Sequence, residues 1–279
     1  MKTNNDMKVA LCLIAKNENC YIREWVDHYY NLGIDKIYIY DNNDEDGEKF
    51  DDVISDYINN GFVKVINYRD KKFAIMKAYK ECYENFNEFY DWIAFFDTDE
   101  FLTFADNSIK NIKTFLSDEK FSDAQGVCIN WKLYDDNGHV YQQLIPVKQR
   151  FTNPKEPFNI LMPHGVPYNA HVKVILRGGL KNIEWTPDNP HTLIKENHNI
   201  KYVNPIGETN VAWQSIWKIN YDVCWLNHYS YKTIQEYIRK IKRGDGISKE
   251  HQIADLKLNT FFRYNELTND KIDFILNNV

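Results

Sequence analysis

The sequence has no paired-cysteine motif. Its five cysteines (Cys12, Cys20, Cys82, Cys128 and Cys224) are scattered without a CxxC spacing, and Cys12 and Cys128 fall inside apolar runs. That excludes a zinc-ribbon site or a disulfide framework and predicts reduced thiols in a cytosolic protein. No hydrophobic run is long enough to cross a bilayer. The apolar stretch Val9–Ala15 is far short of the ~20 residues a spanning helix needs, and Met1–Lys8 is polar, with no signal-peptide character. Positive charge is also in deficit: at a net −6, the chain lacks the basic footprint that nucleic-acid binding requires. Repeats, low-complexity tracts and Gly/Ser linkers are absent, so one continuous domain over 1–279 is expected. There is no Gly-rich phosphate loop either. Ala15-Lys16-Asn17-Glu18 follows the first apolar run, which counts against a nucleotidyltransferase, and Phe101 stands where a DxDxT phosphohydrolase needs threonine.

What is present supports an α/β enzyme. With 43% hydrophobic residues the chain can bury a sizeable core. Aromatics make up 15%, which serves either an aromatic-rich core or the stacking of sugar rings and bases. Over the first hundred residues, strand and helix patterns alternate. Strands are expected at Lys8–Ile14, Lys36–Tyr40, Phe62–Ile66 and Trp92–Phe96, with helices at Tyr21–Asn31, Asp51–Asn59 and Phe73–Phe86. Gly33 and Gly61 end the first two helices. This order predicts a mainly parallel sheet with right-handed crossovers and ligands at the strands' carboxyl ends. Beyond residue 120 the rhythm loosens. Strands are expected at Gly126–Trp131 and His171–Leu176, between long irregular stretches at 132–170 and 178–210 suited to acceptor binding. Thr233-Ile234-Gln235-Glu236 is a capping-box signature opening a helix that Gly244 ends.

Asp97-Thr98-Asp99 carries the clearest chemistry. An apolar, aromatic strand delivers two carboxylates, one residue apart, to the ligand edge of the sheet. Hard divalent cations take such oxygens together with phosphate and water, and a departing nucleoside diphosphate needs that charge compensation. The bland alternative is a solvated acidic turn. His228 follows the apolar run Val223–Leu226; it reads either as a hydrogen-bonded core histidine or as a third metal ligand, and imidazole favours Mn²⁺ over Mg²⁺. From Lys232 to Lys249 six basic residues face two acids. The cluster is either a solvated face with helix-dipole compensation or an anion site, in which Lys232 binds pyrophosphate and Arg239–Arg243 touches phosphate or an anionic membrane.

The chain resembles the family 92 glycosyltransferases and their bacterial relatives, which share the GT-A (nucleotide-diphospho-sugar transferase) fold. The resemblance rests on Lys16-Asn17-Glu18, Glu24-Trp25, His28-Tyr29 and Gly33. Tyr40-Asp41-Asn42, Asp91-Trp92-Ile93 and Phe96–Leu102 continue it. Asn130-Trp131, Gly138-His139, Gln149-Arg150-Phe151, Lys173, Arg177, Asn227-His228-Tyr229, Lys232, Lys240 and Arg243-Gly244 complete it. It implies a Rossmann-like GT-A domain with a nucleotide-binding half (1–125) and an acceptor half (126–279) that carries the basic helix. It also implies inverting transfer of a hexose, galactose favoured, from a UDP-sugar, with Mn²⁺ as cation and Mg²⁺ the alternative. The acceptor would be a glycan or lipid-linked saccharide in surface polysaccharide synthesis, met by a cytoplasmic protein in peripheral contact with the membrane's inner face. The alternatives kept open are a nucleotidyltransferase and a sugar-nucleotide- or glycan-binding module with reduced activity.

Candidate roles follow. Lys16, Asn17, Glu18, Asp41 and Asn42 would contact the base and ribose, although residues of these types also cap helices. Asp97, Lys232 and Arg243 would hold the rest of the donor, and Asp97, Asp99 and His228 the metal. Trp131 and His191 are the acceptor contacts. Asp188 and Glu184, by their distance after the DxD, are the first candidates for the catalytic base, ahead of Asp135, Asp136 and Glu208. Two stretches depart from the family pattern, Asp135-Asp136-Asn137 and Gly178–Pro190, and both lie in the acceptor half.

Overall fold

The computed structural model describes residues 6–162, 165–195, 200–209, 218–244, 246–247 and 257–278. Its first half is the alternating unit expected: β1 (Val9–Ala15), α1 (Asn19–Asn31), β2 (Lys36–Asp41), α2 (Asp51–Asn59), β3 (Val63–Asn67), α3 (Ile75–Phe86) and β4 (Trp92–Phe95). These strands pair in parallel in the order β3-β2-β1-β4. Alternation along β1 explains why both faces are covered. Val9, Leu11 and Leu13 pack toward α1 with Trp25 and Val26, whereas Ala10 and Cys12 pack toward α3 with Tyr79 and Cys82. Helix α3 starts two residues later than the sequence pattern suggests, because Phe73 takes a left-handed backbone (φ 50°).

Past β4 the sheet becomes mixed, although over the whole sheet, among the described residues, five of the eight strand pairings are parallel. Helix α4 (Ile112–Leu116) lies between β5 (Glu100–Phe104) and β6 (Gly126–Leu133). After the short helix α5 (Val147–Arg150) come β7 (Val172–Arg177), β8 (Tyr202–Val203) and β9 (Cys224–His228). β7 runs antiparallel to β4 and β6. β6 is long enough to serve two neighbours: residues 126–130 pair with β7, and 131–133 pair in parallel with β9. β9 in turn holds β5 antiparallel, giving the order β3-β2-β1-β4-β7-β6-β9-β5, with the short β8 beside β6. Sequence periodicity did not reveal β5, β8 or β9, since each is five residues or fewer, too short to show a period.

A third apolar cluster joins Leu133 to α6 (Ile234–Arg243), α7 (Leu258–Tyr264) and α8 (Asn269–Asn278) through Ile234, Tyr237, Phe261 and Phe274. α6 opens on the expected capping box: the Thr233 hydroxyl accepts from Glu236 N–H, and the Glu236 carboxylate accepts from Thr233 N–H. The five thiols are free, with Cys20 exposed and the others buried. Among the described residues no helix is long and apolar enough to cross a membrane.

Candidate functional site

Phe96–Asp99 forms a turn between two strands that part company, since β4 stays with β1 while β5 crosses to β9. Helix α1 clamps that turn. Trp25 Nε1–H donates to the carbonyls of Asp97 (2.9 Å) and Glu100 (3.1 Å), and the Tyr29 hydroxyl donates to Glu100 O (2.9 Å). From inside, the fully buried Glu100 carboxylate accepts Asp97 N–H (2.9 Å) and Trp131 Nε1–H (2.7 Å). Register does the rest. Glu100 lies opposite His228 in the β5–β9 pairing, and Tyr229 N–H donates to Asp99 O (2.9 Å), so the late Asn-His-Tyr segment meets the aspartates.

Each aspartate has a cation beside it. Asp97 accepts from the Tyr79 hydroxyl and from Lys173 Nζ, both at 2.8 Å, and Lys173 stands 4.0 Å from Glu100. Lys173 is nearly sealed inside the protein. Burial works against its charge, but Asp97 and Glu100 outweigh burial and raise its pKa. Burial pushes Glu100 well above the usual carboxylate range, with Lys173 pulling the other way. Asp99 lies 3.3 Å from Lys240 Nζ and 3.6 Å from His228 Nε2. Burial there favours the neutral acid, yet Lys240 and His228, with Lys232 beyond, hold it well below its usual range.

His228 suits a metal. Burial lowers its pKa, which keeps the imidazole in the neutral form that ligates cations, and its Nδ1 is buried without a partner. Among the described residues no three His, Cys, Asp or Glu side chains make a ready cage. Asp99, His228 and the nearby Asp97 are a partial set. Divalent ions in phosphate sites normally complete such a set with phosphate oxygens and water, so these residues fit the expected cation.

The aspartates open onto a cavity of about 510 Å³. Lys16, Glu18 and Asn42 from the tips of β1 and β2 line one wall, Trp131, His171 and His191 line the other, and Lys240 and Arg243 of α6 reach over it. Asn42 donates its amide N–H to the carbonyls of Tyr68 and Lys71 (both 2.8 Å), leaving the amide oxygen with no partner among the described residues. Arg243 pairs with Glu18 and donates to Lys16 O (3.0 Å). Beyond that pair lies a second cavity of about 490 Å³, which contains Asn17 and Lys232. Lys232 has a left-handed backbone (φ 52°), is 7% exposed, and sets its ammonium 4.4 Å over the Tyr21 ring. Among the described residues it has no ion-pair or hydrogen-bond partner, and burial lowers its pKa.

Several expected residues stand elsewhere. Asp41 lines neither cavity: it accepts from Asn43 and is ion-paired to Arg69 at 2.8 Å, so it holds the turn after β2. Glu184 and Asp188 are exposed and do not line the cavity, and Glu184 is paired to Lys195, so the structure does not bring these two candidate bases to the site. Asp135 pairs with Lys155 and Asp136 with Lys271, while Glu208 donates its N–H to Asn204 Oδ1 (2.9 Å) and accepts Asn204 N–H at its carbonyl (2.8 Å); none lines the cavity. The basic helix is not uniformly solvated, since Lys240 and Arg243 turn into the site while Arg239 contacts Gln142. Lys249 lies outside the described residues. Sequence reasoning gave no role to Lys173, Tyr79 or Glu100. A lysine inside the apolar run His171–Leu176 was the one available signal for Lys173.

The sequence model of glycosyltransferase family 92 matches residues 7–257. The chain belongs to glycosyltransferase family 92. A family 92 protein of rice (Oryza sativa subsp. japonica) is 28% identical over 103 residues, 36% of this chain and 17% of its own length. One of Ricinus communis is 29% identical over 98 residues, 34% of this chain and 17% of its own length. The chain thus matches less than a fifth of those proteins. A structure of residues 1–349 of S. aureus TarS in complex with UDP-GlcNAc overlaps 49% of this chain and 37% of that one. Its TM-score is 0.36 at 15% identity, too low to bear on function. The mixed, mostly parallel sheet flanked by helices is the α/β arrangement that family membership led us to expect.

Proposed function

We propose that this family 92 chain is a metal-dependent glycosyltransferase. In this reading it moves a hexosyl group, galactose by preference, from a UDP-sugar to a glycan or lipid-linked saccharide, with inversion at the anomeric carbon. One observation carries the reading: the β5–β9 register joins Asp99 to His228 at the edge of a cavity whose far wall is the tips of β1 and β2. Ligands of parallel α/β sheets bind at those tips. In this reading Glu18 and Asn42, which line the cavity, contact the uridine half. Lys240, Arg243 and Lys232 supply positive charge for the diphosphate, and Trp131 and His191 line the side left for the acceptor. Asp97, Asp99 and His228 would hold Mn²⁺ or Mg²⁺, which when bound offsets the charge developing on the departing nucleoside diphosphate.

The protein's own part is positioning. Tyr79 and Lys173 fix the Asp97 carboxylate, α1 fixes the turn backbone, and Glu100 ties both to Trp131. Such orientation by packed partners is worth as much to the reaction as the charges themselves. Surface polysaccharide assembly, with the protein resting on the membrane's cytoplasmic face, is the setting we favour. The test is a panel of UDP-sugars with Mn²⁺, Mg²⁺ or EDTA, scored for UDP release and for thermal shift. The reading predicts UDP release from at least one sugar and stabilisation by UDP that depends on the cation. UDP that neither stabilises the protein nor is released from any donor would refute it.

A further inference from the structure

We infer that His191 is the general base that takes the proton from the acceptor hydroxyl. The inference rests on the transferase reading above and supplies its missing catalytic group. In an inverting transfer the hydroxyl oxygen forms the new bond to the anomeric carbon while the bond from that carbon to the diphosphate oxygen breaks. The electron pair leaves with the nucleotide, and the hydroxyl proton must pass to a base within reach.

Elimination narrows the field. Among the described residues, the carboxylates on the cavity wall are Glu18, Asp97 and Asp99. Glu18 is engaged by Arg243, Asp97 by Tyr79 and Lys173, and Asp99 by Lys240 and His228. Among the described residues, the acids of the acceptor half are exposed or paired away from the cavity. Two histidines remain on the acceptor wall, His171 and His191.

His191 has the geometry of a base. Its Nδ1 lies 2.9 Å from Val172 O, and because a carbonyl can only accept, Nδ1 carries the ring hydrogen. Nε2 therefore holds a lone pair, and no described residue hydrogen-bonds to it. The backbone beneath is fixed, since His191 N–H donates to Asn189 Oδ1 (3.0 Å) and the Asn189 amide N–H donates to the Thr192 hydroxyl (3.2 Å). The ring is held edge-on to Trp131 (centroids 5.2 Å apart) and beside His171 (5.0 Å). A backbone carbonyl that orients a neutral imidazole does the work done by the carboxylate in a serine-hydrolase triad. Burial, with His171, Lys173 and His228 nearby, lowers the ring's pKa and keeps it in the unprotonated form that can accept. Negative charge arriving with a diphosphate stabilises the imidazolium once it forms. The proton then leaves to solvent, and the ring returns to its starting form.

The test compares His191→Asn and His191→Ala with wild type. The donor is whichever UDP-sugar of the panel wild type turns over, with Mn²⁺, and water and p-nitrophenyl glycosides serve as acceptors. The asparagine amide can still donate to Val172 O but takes no proton, so kcat should fall about 100-fold or more, with donor KM within about threefold. Turnover by the alanine variant should rise at least about tenfold in added imidazole, a response that a merely structural histidine does not give. UDP affinity, measured by calorimetry, should be unchanged in both variants. Turnover of His191→Asn within about threefold of wild type overturns the assignment, as does loss without imidazole rescue. A wild-type protein that neither binds UDP nor releases it from any UDP-sugar overturns the transferase reading, and this assignment with it.

Discussion

Replacing Arg150 with methionine tests whether α6, the helix that brings Lys240 and Arg243 to the site, is anchored by a buried charge pair. Arg150 Nη1 and Nη2 donate to the two Glu236 oxygens at 2.8 and 2.9 Å, and the two side chains are 1% and 2% exposed. Glu236 also accepts from the Tyr21 hydroxyl (2.7 Å) and the Thr233 hydroxyl (2.7 Å). Burial alone would raise the carboxyl, but Arg150, with Lys232 and Thr233, pulls it from 4.5 to about 2. A lowered folded-state pKa means the unfolded chain binds the proton more readily. The stability so gained is complete above about pH 4.5 and is lost as pH falls through about 2. The shift is worth about 3 kcal/mol at neutral pH. Arg150→Met leaves the carboxylate buried with only hydroxyl and backbone donors, so the expected loss is about 3–5 kcal/mol at pH 7. By about pH 3 the gap from wild type should have shrunk by more than half. Urea unfolding at both pH values measures it, read from midpoints at constant slope. A loss under about 1 kcal/mol at pH 7, or a gap that does not narrow with acid, would refute the reasoning.

Three further outcomes are expected. Asp99→Asn should abolish turnover and remove the Mn²⁺ dependence of UDP binding without lowering the unfolding midpoint; full activity in that variant or in EDTA would exclude the metal reading. Asp41→Ala should cost stability, about 1–3 kcal/mol for the charged partner lost by the half-buried Arg69, which keeps the carbonyls of Asp44, Glu45 and Glu48, while UDP affinity measured on the folded fraction stays the same. A drop in affinity of about 1–3 kcal/mol would return Asp41 to the donor site. Arg239→Glu with Lys242→Glu should weaken binding to anionic vesicles at low salt and leave UDP-sugar hydrolysis unchanged. If wild type ignores such vesicles, the membrane contact falls.

Much of the donor side was legible in the sequence, because parallel β-α units announce themselves locally. A strand of apolar residues, a stop and a helix of 3.6 periodicity place Lys16, Asn42 and Asp97 at the strand tips before any coordinate is known. His228 was legible for a different reason: a lone histidine after an apolar run, within a family-like Asn-His-Tyr. The register that seats it opposite Glu100 depends on β5 and β9, which are five residues each and far apart in the chain, and local periodicity does not say which strands pair. The acceptor side was far less legible. Distance along the chain after the DxD suggested Glu184 and Asp188, yet a long loop can place any of its residues in solvent, and it does so with both. Asp41 misled by the same logic in reverse, since a strand-end acid can as easily close a turn. Only three-dimensional pairing with Arg69 shows which it does.

The pairings also bear on how the proposed donor would enter a site lined by paired charges. Asp99 faces Lys240 and Glu18 faces Arg243, so these two acids each meet a cation from one helix, α6, while Asp97 meets Lys173 of β7. A divalent ion and a diphosphate that arrive together can exchange partners with these pairs: the ion takes the carboxylates, and the phosphates take the ammonium and guanidinium groups. No charge is then left buried alone at any stage, which avoids the several kcal/mol an unpaired buried ion costs. UDP without a cation would have to draw Lys240 and Arg243 away from Asp99 and Glu18 and strand both acids. Lys232, which has no ion-pair or hydrogen-bond partner among the described residues, would serve the proposed diphosphate without that cost. On this argument, cation dependence of UDP binding and the anchoring of α6 by Arg150 are two faces of one electrostatic design.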